Sequence, residues 1–172
     1  SFWIMDNISL LHELNSNLVD SDAHLFQPRD TYRMRYRGST GGAFGPQYPS
    51  AGVQIDYYFA EDQTGPATIR IRDENGWVVR EYAVGEMDSE SENREQGLRA
   101  PPGPGQRSAA FSLDKGMHRF TWDLRHTGPL NQSLSNSVGP MAVPGMYSVE
   151  LHVGDWSAEK DVQVLIDPRV AA

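Results

Sequence analysis

The sequence predicts an all-β fold, and three observations carry that expectation. The last third of the chain alternates strictly. In Gly116–Arg125, Phe120, Trp122 and Leu124 share one face while Arg119, Thr121 and Asp123 share the other; in Val143–Val153, Tyr147, Val149, Leu151 and Val153 oppose Ser148, Glu150 and His152. A period of two with one apolar face is the pattern of a strand buried on one side. Second, Asp73-Glu74-Asn75-Gly76 and Gly154-Asp155 stand between alternating runs, and such pairs tolerate the backbone angles of tight hairpin turns. Third, about seven short runs with turn signals between them recur along the chain, the spacing expected of a two-layer β-sandwich.

In chain order, Phe2–Asp6 reads as a short strand, and Leu10, Leu11, Leu14 and Leu18 follow at helical spacing after Ser9, an N-cap residue type. Asn15–Asp22 is linker-like in composition. Residues 1–28 are therefore expected to be an N-terminal strand–helix extension, and residues 29–172 the sandwich. Its strands are expected at Tyr32–Arg37, Val53–Ala60, Ala67–Arg72, Trp77–Ala83, His118–Arg125, Tyr147–Val153 and Trp156–Ile166. Val162, Val164 and Ile166 share one side of the last, which pairs with its predecessor as a hairpin.

Three segments break the rhythm. Gly38–Gly52 is rich in Gly, Ser and Pro; Gly85–Ala110 carries Glu86, Asp88, Glu90, Glu92 and Glu95 ahead of a Pro-Gly tract; Thr127–Ala142 is polar with little periodicity. The segment 85–110 buries too little apolar surface to offset its ordering entropy and is expected to be a flexible acidic and Pro-rich loop.

Bulk properties narrow the function classes. At 172 residues the chain is long enough for one ordinary domain. Zero cysteines exclude disulfides, thiolate metal sites and cysteine nucleophiles. A formal net charge of -8 and a pI near 5.0 argue against nucleic acid as a partner, because a phosphate-backbone binder needs a basic face. No apolar run approaches the ~20 residues of a membrane span. Ser1 follows no initiator Met and opens no signal-peptide pattern, so the chain is expected to be a piece of a larger protein.

The search for catalytic chemistry finds no phosphate-binding glycine loop, zincin helix motif or nucleophile elbow. The five histidines, His12, His24, His118, His126 and His152, share no metal-ligand spacing on one element. Asp20-Ser21-Asp22 and Asp73-Glu74-Asn75 offer oxygens to a calcium ion but do not match an EF-hand loop, and turn chemistry accounts for both. The acids of 85–110 do not sit on rigid elements, as a glycosidase pair must. No cofactor and no metal are expected, and the chain is not expected to be an enzyme.

Two groups of side chains remain as candidate binding residues. Arg33, Arg35 and Arg37 alternate with Tyr32, Met34 and Tyr36, so on a strand the guanidinium groups share a face. That face reads as a solvated one that discourages edge pairing, or as a dock for an anionic glycan or a carboxylate-rich loop. Trp77 and Trp156 begin strands beside turns, and one of Tyr57 and Tyr58 must point outward. With Tyr58 these aromatics are candidate platforms for stacking on sugar rings, or for packing against a neighbouring domain.

The order Gly-x-x-x-Phe-x-Trp-Asp (116–123), loop, Val-Pro-Gly-x-Tyr-x-Val-x-Leu (143–151), hairpin resembles the Ig-like, fibronectin III-like sandwich known from the flagellar hook-capping protein. It resembles more closely the C-terminal sandwich that follows a β-propeller in large secreted bacterial proteins of the sortilin-like or sialidase-like glycosyl hydrolase type. The likeness extends to Phe2–Asp6, Ala23–Asp30 and Ile55–Tyr58. The resemblance implies that residues 1–28 end a preceding propeller and lead out of it. It also implies a non-catalytic accessory role, packing against or orienting the propeller, in a secreted or periplasmic bacterial protein. A carbohydrate-binding module with polysaccharide as partner is the rival expectation, and an assembly or adhesion domain the weaker one.

Overall fold

A computed structural model describes residues 21–34, 51–84, 111–130 and 136–170, together with Leu10 and Glu13; for 129–130 and 136–138 only the backbone is described. The all-β expectation holds. Ten strands are described: β1 (Ala23–Leu25), β2 (Thr31–Arg33), β3 (Val53–Phe59), β4 (Ala67–Asp73), β5 (Val78–Val84), β6 (Gly116–Trp122), β7 (Arg125–Leu130), β8 (Asn136–Met141), β9 (Gly145–Val153) and β10 (Trp156–Ile166). They form a three-stranded sheet in the order β1-β3-β6, a five-stranded sheet in the order β2-β10-β9-β4-β5, and the β7-β8 pair. The described pairings are antiparallel except that of β2 with β10.

Alternation decides which face is buried. Val53, Ile55, Tyr57 and Phe59 of β3, Ala67, Ile69 and Ile71 of β4, and Tyr147, Val149, Leu151 and Val153 of β9 join one core. Rings meet between the two larger sheets: Trp122 of β6 lies 5.3 Å from Tyr147 of β9, and Phe120 of β6 lies 4.6 Å from Tyr82 of β5. A one-residue slip of β9 would turn four apolar side chains outward, and burial of each contributes about 1.5–3 kcal/mol, so the register is strongly specified.

The expected strand His118–Arg125 breaks at a corner. β6 ends at Trp122, and Leu124 takes a left-handed backbone with φ 58. The Asp123 carboxylate accepts the Arg125 N–H (3.2 Å), the Trp122 indole donates to the Arg125 carbonyl (3.0 Å), and Ala142 N–H donates to the Leu124 carbonyl (2.7 Å). A left-handed non-glycine residue costs about 1–2 kcal/mol. Leu124 is only 2% exposed, and burying such a side chain contributes about 1.5–3 kcal/mol, so burial outweighs the strain.

Three expectations need correction. Thr127–Ala142 is not an aperiodic connection, because it holds most of the β7–β8 hairpin. Gly128-Pro129 and Gly139-Pro140 lie inside those strands, and Gly and Pro read as breakers unless the strands are edges, as both are here. Residues 23–26, expected in the N-terminal extension, join the sheets: β1 pairs with β3 from Ala23, and Leu25 and Phe26 are buried. Three residues are too few to show a period. Ile166 does not continue the buried side of Val162 and Val164; it is exposed at the end of β10.

Phe2–Asp6, most of the helix expected after Ser9, Arg35, Arg37 and the segment 85–110 lie outside the described residues. Leu10 and Glu13 are both helical. Glu13 is fastened to the sheet, since its carboxylate accepts the Gln27 N–H at 3.0 Å and lies 3.7 Å from His24 Nε2.

Burial also sets the ionisation of two core-lining tyrosines. It pushes the hydroxyls of Tyr57 and Tyr82 up to about 12, against about 10 in an unfolded chain. The raised value means that the stabilisation from the neutral hydroxyls is complete below pH 10 and is lost as the pH rises through 12. A spectrophotometric alkaline titration is expected to show a step near pH 12 that Tyr57→Phe and Tyr82→Phe each diminish. Ionisation of all tyrosines in one step near pH 10 would refute it.

Candidate functional site

The β4–β5 hairpin forms where Asn75-Gly76 predicts it and is tightly pinned. The Asp73 Oδ1 accepts the N–H groups of Asn75 and Trp77 at 2.9 Å each, Asp73 N–H donates to the Trp77 carbonyl (3.0 Å), and Gly76 N–H donates to the Asp73 carbonyl (2.9 Å). The Asp73 oxygens thus serve the turn, as turn chemistry requires. Trp77 projects from this rigid loop with 74% of its surface exposed.

Register shows what lies beside it. Asp73 pairs with Tyr147, Gly145 with Val164, and Ile166 with Arg33. The β4–β5 turn, the start of β9 and the ends of β10 and β2 therefore occupy one end of the five-stranded sheet. Trp77, Val78, Val143, Met146 and Ile166, large apolar residues at that end, are exposed, and Tyr32 is exposed on the far edge strand, β2.

The other aromatic candidates do not join them. Trp156 begins β10 at the opposite end, beyond Val153, so at ~3.3 Å per residue the Tyr147–Val153 span alone separates it from Trp77 by about 20 Å. It is partly buried against the core. Its phase along β10 is that of Val162 and Val164, a signal present in the sequence. Tyr58 stands on the outer face of the three-stranded sheet, opposite His24 and Met117, while Tyr57 turns inward. Arg33 is half-buried on β2 whereas Tyr32 is 48% exposed. In this short edge strand the tyrosine is the more accessible of the two, and the rest of the expected arginine face, Arg35 and Arg37, lies outside the described residues.

Charged pairs occupy both outer faces. Arg70 Nε donates to Glu81 at 2.6 Å, and Arg70 and Arg72 each reach Glu150 at 3.4 Å. The hydrogen bond to Glu81, ahead of the field of Glu81 and Glu150, holds the Arg70 guanidinium above its ordinary value. Exposed pairs of this kind contribute about 0–1 kcal/mol each and mainly fix strand neighbours. On the other sheet Arg119 grips the buried Asp56 with two bonds, of 2.6 and 3.0 Å; the hydrogen bond to Asp56 raises the Arg119 value.

A cleft of about 210 Å³ opens where β2 meets the start of β3, lined by Arg29, Asp30, Thr31, Tyr32, Gly52 and Gln54, among others. Sequence reading misses it because its walls come from different sheets.

Fold and surface define the class only as an all-β domain of two facing sheets with an apolar end. No protein-family model, curated protein or solved structure matches the chain.

Proposed function

We propose that the chain is an Ig-like or fibronectin III-like β-sandwich serving as a non-catalytic accessory module of a larger secreted β-propeller protein of the glycosyl hydrolase-like type. It packs against the propeller through the apolar end of its five-stranded sheet and fixes the propeller's orientation. The sheet orders and the single core between two sheets support the sandwich type. The observation that carries the docking role is the set of exposed apolar side chains at one end of the five-stranded sheet, Trp77 the most exposed of them. Large apolar side chains exposed together at one end of a sheet mark interaction sites, and a Trp on a pinned turn is a favoured interface anchor.

The test uses the complete polypeptide and, in parallel, the two parts produced separately. In the complete protein the propeller and the sandwich are expected to melt together, and Trp77→Ala to uncouple them without changing the melting of the sandwich alone. Between the separate parts the same substitution is expected to weaken binding by about 2 kcal/mol or more, roughly 30-fold. Unchanged coupling and affinity, or a reading frame without a propeller, would overturn the proposal.

A further inference from the structure

We propose that the cleft between β2 and β3 binds a single hexopyranose residue of a polysaccharide, with Tyr32 as the stacking platform and Asp30 and Arg29 as the groups that read its hydroxyls. The site lies on β2, at the opposite edge of the five-stranded sheet from Trp77, and it places sugar recognition at an aromatic other than Trp77, Trp156 and Tyr58.

Its walls are held before any ligand arrives. The strap that joins β1 to β2, residues 26–30, is tied down along its length. Phe26 N–H donates to the Asp56 carbonyl (3.0 Å), the Gln27 amide donates to the Asp161 carbonyl (2.5 Å), and Gln27 N–H donates to Glu13 (3.0 Å). The Asp30 Oδ1 accepts the N–H of Gln163 at 3.1 Å. That bond fixes the carboxylate and leaves Oδ2 without a partner among the described residues. The Thr31 hydroxyl donates to the Arg29 carbonyl at 3.2 Å, and the Arg29 side chain forms no ion pair among the described residues. Asp30, held in this way, loses little freedom on binding.

Size and chemistry select the ligand. At about 210 Å³ the cleft lies below the ~300–1,000 Å³ of sites for drug-sized molecules, and its room suits one ring. The ring of Tyr32, 48% exposed, offers an apolar face and a π quadrupole to the C–H face of a sugar. A carboxylate acceptor and a guanidinium donor on adjacent residues match neighbouring hydroxyls, each of which donates and accepts. A simple anion site is disfavoured, because Asp30 offsets the charge of Arg29.

The experiment is affinity electrophoresis and calorimetry of the chain with pullulan, galactomannan, mixed-linkage β-glucan and polygalacturonate. At least one neutral polysaccharide is expected to bind. Tyr32→Ala and Asp30→Asn are each expected to weaken that binding by about tenfold, Tyr32→Phe to retain most of it, and Trp77→Ala to leave it unchanged. Asn at position 30 keeps an oxygen for Gln163 N–H, so the fold is preserved, and unchanged melting verifies this for every variant. Failure to bind any of the four overturns the proposal, as does binding that survives both Tyr32→Ala and Asp30→Asn. Binding to polygalacturonate or an acidic peptide alone, lost in Arg29→Ala and kept in Asp30→Asn, overturns it in favour of an anion site. None of these outcomes bears on the docking of Trp77.

Discussion

Trp122→Ala is expected to destabilise the domain by about 3–5 kcal/mol, a fall in melting temperature of roughly 6–20 °C for a chain of this size. Trp122 is fully buried at the end of β6 and packs on Tyr147 of the facing sheet. Its indole also holds the corner, donating to the Arg125 carbonyl at 3.0 Å. Truncation therefore opens a cavity and releases the turn into β7 at once. Trp122→Phe keeps most of the packing and gives up the hydrogen bond, so it is expected to fall between the wild type and Trp122→Ala. Denaturant unfolding of the three proteins measures this, and a loss below about 1 kcal/mol for Trp122→Ala would show that the ring does not join the sheets.

Gly52→Ala is the second large effect. Gly52 has φ +140, and a Cβ added there would stand 2.2 Å from the Trp122 carbonyl oxygen. Backbone, unlike a flexible side-chain tip, cannot swing aside, and Val53 next to it pairs with Trp122 in the β3–β6 ladder. Backbone strain and overpacking together are expected to cost about 3 kcal/mol or more. Gly65 is the control, because its φ is +114 but an added Cβ meets nothing within 4 Å. Gly65→Ala should show the strain alone, about 1 kcal/mol. Equal losses at the two positions would mean that β3 and β6 do not approach as closely as described.

These residues also show what the sequence could reveal. β3, β4, β6, β9 and β10 are legible because each buries one face against a single core, and that asymmetry writes a period of two into the chain. β1 leaves no such trace, being three residues long, whereas the alternation from Tyr32 does point to β2. β7 and β8 carry Gly-Pro pairs that suit edge strands but read locally as breaks. The candidate site was less legible than the fold. Trp77 and Trp156 look alike as strand-opening aromatics, yet one projects from a pinned turn and the other shares the inward phase of its strand. Tyr32 is accessible because the strap fixes where β2 lies, and the strap is tied to residues far away in the chain. Long-range ties have no local signature.

The same ties govern the order of events during synthesis. Gln27 bonds to Asp161 across 134 positions, and Asp30 caps Gln163 across 133. The hairpins β4–β5 and β9–β10 close over short loops and need nothing else to begin, whereas the strap and β2 must wait for the far end of the chain to emerge. At about 5–20 residues per second that interval is roughly 7–27 s. Throughout it β2 is a strand with no neighbour, the state in which chains recruit wrong partners. Three residues ending in an arginine give an intruding strand few hydrogen bonds to copy and a charge to bury.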